Sequence, residues 1–269
     1  MTERSDLVAE YLDVLGIEPG PPSRELADEL VRRHVATFPF GSVGVQLGDD
    51  LPLGLAAVHD RLVVRRRGGY CFEQNLLMHE VLAELGFAPT MYLARVLLSG
   101  SEHPPLTHRV TVVEIDGDRY LVDVGFGPQG PTAAVPFDGE AVGEPWRRFR
   151  LGQTGPSTWT TYGGGADELA PMYRFELAPY GESDCELGHF YSHRHPDAHF
   201  VQVLVASTLR DGETRSLRDR DYWVIRADGV ESRRIDDPDE LAAVLLNDFG
   251  LRVDHAECVR LLDGRTRRD

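Results

Sequence analysis

The sequence contains no lysine. All 28 of its basic residues are arginines, set against 44 aspartates and glutamates, for a formal net charge of −16. A chain so acidic repels nucleic acid and anionic membrane except where its arginines cluster. Any phosphate-bearing ligand must then be held by arginine, hydroxyls or backbone amides. Isoleucine and asparagine are also scarce while Ala, Gly, Arg and Asp abound, which reflects genomic base composition before function. There are only three cysteines, Cys71, Cys185 and Cys258, and no Cys-x-x-Cys pair, so no disulfide framework is expected. No apolar run approaches the roughly 20 residues that a membrane helix needs; the longest, residues 53–58 and 241–246, are far shorter. The opening residues lack the basic-then-apolar order of a secretory signal, and a cytoplasmic protein is expected. Internal repeats and low-complexity blocks are absent as well.

What is present is ordinary globular material. At 269 residues, with 42% hydrophobic and 27% charged positions, the chain has ample length to bury a core. Its first 90 residues carry helical periodicity. Leu7, Tyr11, Leu12 and Leu15 share one face of a first helix, Ser23 is placed to cap a second, and a third runs from near Cys71 to Gly86. From about Met91 the period shifts to two. Residues 91–98, 109–115 and 120–124 read as strands, with Asp116-Gly117 as a hairpin turn. Residues 125–185, rich in Gly, Pro and Thr, predict short strands and long loops. Residues 200–208, 222–226 and 230–235 predict a meander, closed by a helix from Asp237 and Pro238 to Gly250. That order predicts an α+β protein of about three parts, not a βαβ repeat.

Chemistry concentrates on three residues. Cys71 stands at a predicted helix start, after Gly68-Gly69 and the basic run Arg65 to Arg67. A helix N-terminus favours negative charge on the sulfur. A thiol nucleophile needs a base, and the base needs an orienting group. His108 and Asp123 flank the predicted hairpin. If its turn has an even number of residues, 110 lies opposite 123 and 108 opposite 125, so the two side chains share a face as diagonal neighbours, about 7–8 Å apart at Cα. An odd turn puts them on opposite faces. Asp123 is also an unusual carboxylate inside an apolar strand, where it requires a partner.

These residues sit in segments that resemble a known family. Arg67-Gly68-Gly69-Tyr70-Cys71-Phe72-Glu73-Gln74-Asn75, then Thr107-His108, then Leu121-Val122-Asp123-Val124-Gly125-Phe126-Gly127 resemble the arylamine N-acetyltransferases, in that family's order. Pro39-Phe40, Leu85 to Phe87, Ala94 to Val96 and Phe190 to Phe200 extend the resemblance over most of the chain. The resemblance implies a helical bundle (1–90) carrying the cysteine, a central antiparallel β-barrel (91–195) carrying the histidine and aspartate, and a C-terminal α/β lid (196–269), on a core shared with cysteine proteinases and transglutaminases. It implies ping-pong transfer from acetyl-CoA to an arylamine or arylhydrazine through acetyl-Cys71, with His108 and Asp123 completing a triad and no metal. It further implies that Phe40, Val96, Phe126 and Phe200 line the acceptor pocket. Thr107, Gly125 and Gly127, within the stretch Gly125 to Gly130, become candidates for contact with CoA. One departure stands out: after Pro39-Phe40 this chain has Gly41-Ser42-Val43 where the family carries Glu-Asn-Leu. The missing acid would pair with Arg67, which is left either mobile or paired with another carboxylate.

Competing readings keep the same residues. Amide synthases, which close a macrolactam from an acyl chain on a carrier protein, would share the triad with a different pocket. A thiol hydrolase would share the order Cys, His, Asp, although the surround of Cys71 does not match the papain pattern. His189, His193, His195 and His199, with Asp184, Cys185 and Glu186, are dense enough to suggest zinc, but match no finger spacing. The arginine clusters at 65–67, 147–150 and 265–268 read as a solvated face, a loop and a tail, one of which could meet CoA phosphates.

Overall fold

The computed structural model describes residues 3–101, 103–165 and 168–264. Helices come first: α1 (Glu3–Leu15), α2 (Arg24–Thr37), α3 (Val43–Leu47), α4 (Leu55–His59) and α5 (Cys71–Glu84), with a two-residue strand β1 (Phe40–Gly41) between α2 and α3. The periodic residues follow their predicted spacing except Leu7, which is half-buried while its neighbour Val8 is buried in its place. Val8, Tyr11, Leu12 and Leu15 are buried on one face of α1, and the Ser23 hydroxyl caps α2 by accepting the Leu26 N–H. Helix α4 runs on into a π-helical turn, Asp60–Val64, which leads to the Gly68-Gly69 loop and α5. Helix α5 is buried on every side at its N-terminal half, from Cys71 through Met78.

Eight strands follow: β2 (Thr90–Val96), β3 (Leu106–Ile115), β4 (Asp118–Val122), β5 (Val135–Pro136), β6 (Ala141–Glu144), β7 (Arg147–Gln153), β8 (Thr158–Gly164) and β9 (Leu169–Glu176). They form one antiparallel sheet in the order β5-β4-β3-β2-β9-β8-β7-β6. Strand β5 returns to β7 and β6, so the sheet almost closes into a barrel. Leu121, Phe149, Leu151, Trp159, Tyr173 and Phe175 fill its interior. The long β7, β8 and β9 correct the expectation of short strands and loops at 125–185. Phe149 and Leu151 alternate with outward Arg148 and Arg150, and Trp159 and Thr161 with Thr158 and Tyr162, so the polar half of each strand masks the pattern. The arginines at 147–150 accordingly lie on a strand, not in a loop. The cluster at 265–268 lies outside the described residues.

The remaining elements are α6 (Glu182–Arg194), α7 (His199–Gln202), β10 (Val205–Arg210), β11 (Glu213–Arg218), β12 (Asp221–Arg226), β13 (Gly229–Arg234), α8 (Pro238–Asn247) and α9 (His255–Asp263). Phe200 belongs to a helical turn, and the strand predicted from 200 begins only at Val205. Helix α8 ends at Asn247, before the predicted Gly250, whose φ of +74° turns the chain toward α9. The second sheet has the order β1-β10-β11-β12-β13. Its first strand comes from the helical part: Phe40 pairs with Ser207 and Gly41 with Ala206. A Cβ at Gly41 would stand 3.0 Å from the Val205 carbonyl, so the sequence departure at this position permits a close strand approach. Among the described residues, no helix is long and apolar enough to cross a membrane.

Candidate active site

The hairpin between β3 and β4 has the even register. Thr111 faces Val122 and Ile115 faces Asp118 across a two-residue turn. His108 and Asp123 therefore share a face, and both are buried. The His108 Nε2 lies 2.8 Å from Asp123 Oδ2. The same ring also lies within interaction range of the Cys71 thiol. Burial disfavours the charged imidazole, but the Asp123 charge and hydrogen bond, with the Cys71 contact, outweigh it and hold the His108 pKa up at about 10.

Asp123 accepts four hydrogen bonds. Tyr173 Oη donates to Oδ2 at 2.6 Å beside His108, while Asn75 Nδ2 at 2.8 Å and the Gly125 N–H at 2.9 Å donate to Oδ1. Burial alone would raise the carboxyl; the His108 charge and these donors lower it below its ordinary value. Asn75 does more. Its amide also donates to the Arg109 carbonyl at 2.6 Å and accepts the Val124 N–H at 2.9 Å, riveting α5 to β3 and to the segment that follows β4. One turn beyond Cys71, its spacing was a signal for a shared face. Tyr173 had none, because it comes from β9, a strand the sequence pattern hid.

Cys71 is the first residue of α5, and its Sγ lies 3.3 Å from the Thr107 carbonyl. Tyr70 before it is extended, and its N–H donates to the Glu73 carboxylate at 3.2 Å. Gly125 packs so tightly here that a Cβ on it would fall 2.6 Å from Cys71 Cα. Its amide is committed to Asp123. Gly127, at φ +80°, abuts Phe40, where a Cβ would fall 3.0 Å from the ring. The Thr107 hydroxyl is directed to the Pro105 carbonyl at the surface.

The aromatic residues predicted as a pocket cluster around this centre. Phe126 lies 5.2 Å from the His108 ring and 4.9 Å from Tyr173. Phe200 lies 5.7 Å from Phe40 and 5.0 Å from Tyr70. Val96, half-buried at the end of β2, pairs with Tyr173. Of the histidines at 189–199, only His189 and His193 meet, with ring centroids 4.3 Å apart. His189 spends both ring nitrogens, on Tyr70 Oη at 2.6 Å and the Leu51 carbonyl at 2.7 Å, and His193 Nδ1 donates to the His189 carbonyl. Among the described residues, no three His, Cys, Asp or Glu side chains are grouped to hold a metal ion. Arg67 has found another acid: Glu257 of α9 pairs with it through both carboxylate oxygens.

An N-acetyltransferase family model matches residues 25–258. The arylamine N-acetyltransferase of Escherichia coli strain K12 is 36% identical over 229 residues, covering 84% of this chain and 81% of that protein. The solved structure of the Salmonella typhimurium arylamine N-acetyltransferase superimposes with a TM-score of 0.90 at 31% identity, covering 98% of this chain and 99% of that one. The Mycobacterium marinum arylamine N-acetyltransferase, solved in complex with CoA, superimposes with a TM-score of 0.88 at 29% identity over 95% and 98% of the two chains. The chain belongs to the arylamine N-acetyltransferase family.

Proposed function

We propose that this chain acetylates aromatic amines or hydrazines by a ping-pong mechanism, with acetyl-CoA as donor and Cys71 as the carrier of the acetyl group. The observation that carries the reading is the buried line Cys71, His108, Asp123, in which one ring joins a helix-terminal thiol to a carboxylate at 2.8 Å. The helix N-terminus and the cationic His108 ring favour a thiolate. The thiolate attacks the thioester carbonyl; a bond from Cys71 Sγ to the acetyl carbon forms, the bond to the CoA sulfur breaks, and CoA takes the proton from His108. The amine nitrogen then attacks acetyl-Cys71, His108 takes its proton, and the thiolate leaves. Asp123 keeps the ring oriented and balances its charge in both halves.

The acceptor ring is assigned to Phe40, Val96, Phe126 and Phe200, whose apolar edges border His108 and Tyr70. The CoA contact is assigned to the Thr107 hydroxyl and to the amides of Phe126, Gly127 and Gln129, since Asp123 occupies that of Gly125 and the Gly127 carbonyl that of Gly130. The CoA complex of the Mycobacterium marinum relative supports the donor. Initial rates with acetyl-CoA and an arylamine such as 4-aminobenzoate test the scheme. Parallel double-reciprocal lines are expected. Intersecting lines would mean a ternary complex and would overturn the covalent intermediate.

A further inference from the structure

Arg67 lies four residues before Cys71, and the acid it meets comes from the far end of the chain. Its Nη1 lies 2.8 Å from Glu257 Oε2 and its Nη2 2.7 Å from Oε1, while Nη1 also donates to the Arg252 carbonyl at 2.8 Å. The charges continue inward. Asp49 Oδ2 lies 3.7 Å from Arg67 Nη2 and 3.3 Å from Arg61 Nη2, and Arg61 Nε lies 3.0 Å from Glu73 Oε1. Acidic and basic side chains therefore alternate from Glu257 to Glu73, whose burial pushes its carboxyl up to about 7 against the pull of Arg61, and that carboxyl accepts the Tyr70 N–H beside Cys71.

The inner end of this chain is dry: the side chains of Arg61 and Glu73 are 6% and 2% exposed. Glycines make room for it. A Cβ at Gly44 would fall 1.7 Å from Arg61 Nη2, and one at Gly69 2.9 Å from Glu73 Oε2. The backbone is tied as well. The Arg252 N–H donates to the Arg66 carbonyl at 2.9 Å, and Gly68, at φ +70°, packs so that a Cβ would fall 2.8 Å from Leu251. Residues 66–69 are thus held between Glu73 on one side and residues 251–257 on the other.

Exposed ion pairs contribute little to stability, but removing one member of a buried series leaves its neighbour uncompensated. Here that disturbance falls on the loop that aims the thiol. A nucleophile misplaced by about 1 Å loses on the order of a hundredfold in rate. We propose that Glu257 is a positioning residue for Cys71: acting through Arg67, it fixes the loop at 66–69, so that the seating of α9 sets the reactivity of the thiol. The inference rests on Cys71 being the nucleophile of the reaction proposed above.

The test compares the full-length protein with Glu257→Gln, Glu257→Asp, Arg67→Gln and the double variant Arg67→Gln/Glu257→Gln, well below each melting temperature. Two rates are read: alkylation of Cys71 by iodoacetamide, and acetylation of Cys71 by acetyl-CoA. Glu257→Gln should slow both by about tenfold and lower kcat while leaving KM for the amine unchanged. Glu257→Asp should recover most of the loss, and the double variant should react no more slowly than Arg67→Gln alone. If Glu257→Gln does not fold, Arg67→Lys keeps the charge but loses the two-pronged pair and serves in its place. Wild-type rates in a variant whose melting temperature has fallen would reduce Glu257 to a structural residue and overturn the inference. If the wild type fails to take acetyl from acetyl-CoA while alkylation still slows in Glu257→Gln, the positioning role stands and the proposed donor falls.

Discussion

Gly125 and Cys71 are in backbone contact: a Cβ on the glycine would lie 2.6 Å from the cysteine Cα and 2.8 Å from Asn75 Nδ2. The obstacle on the Cys71 side is main chain in a buried helix, so it cannot swing away. Gly125→Ala should therefore push α5 off the β3–β4 hairpin, lowering stability by about 1–3 kcal/mol and acetyl transfer by at least tenfold. Chemical denaturation and steady-state assays check both. A stable, fully active Gly125→Ala would show that the contact does not set the geometry.

Asn75→Ala removes a side chain that bonds both β3 and the segment just after β4. It strips a donor from Asp123 and leaves the Arg109 carbonyl and Val124 N–H without their partner. Unpaired buried polar groups cost about 1–3 kcal/mol each. A loss of roughly 2–4 kcal/mol is expected from urea denaturation, together with slower acetylation of Cys71.

Stability should fall with rising pH, because His108 is held up at about 10 in the folded protein against its ordinary 6.5. Its contribution is complete below 6.5 and is lost as pH rises through about 10. Asp123, lowered from 3.8, contributes above that value and loses its contribution as pH falls below it. Asp123→Asn takes away the charge that outweighs burial, so His108 should become hard to protonate. In melting curves from pH 6.5 to 10, the downward slope of the wild type should then disappear in the variant. An unchanged slope would mean that His108 does not titrate in this range.

Phe200 packs on Phe40 and Tyr70, with ring centroids 5.7 and 5.0 Å away. Phe200→Ala should raise KM for the aromatic acceptor several-fold and leave acetylation of Cys71 by acetyl-CoA near the wild-type rate. Slower acetylation with unchanged KM would place Phe200 on the donor side instead.

Much of this centre is legible in the sequence. The even turn at Asp116-Gly117 puts His108 and Asp123 on one face, and the structure has that register. Helices α1 and α5 follow from apolar spacing and glycine stops, and α2 from apolar spacing and the Ser23 cap. What escaped did so for physical reasons. Strands β7 to β9 alternate apolar residues with Arg, Thr and Gly on a solvated face, so Tyr173 went unnoticed as a partner of Asp123. Helix α6 is as long as α1 but mostly polar, and the short α9 carries Glu257, which no local pattern connects to Arg67, 190 residues earlier. Long-range ion pairs leave no periodic trace.

The measurement that tests the central claim most directly is the intact mass of the protein after brief exposure to acetyl-CoA without acceptor, followed by mapping of the modified peptide. One added acetyl group on Cys71, lost again when an arylamine is supplied and absent in Cys71→Ala, is the predicted result. No gain in mass, with Cys71 still rapidly alkylated by iodoacetamide at neutral pH, would contradict acetyl-CoA as donor and point to an acyl chain delivered by a carrier protein.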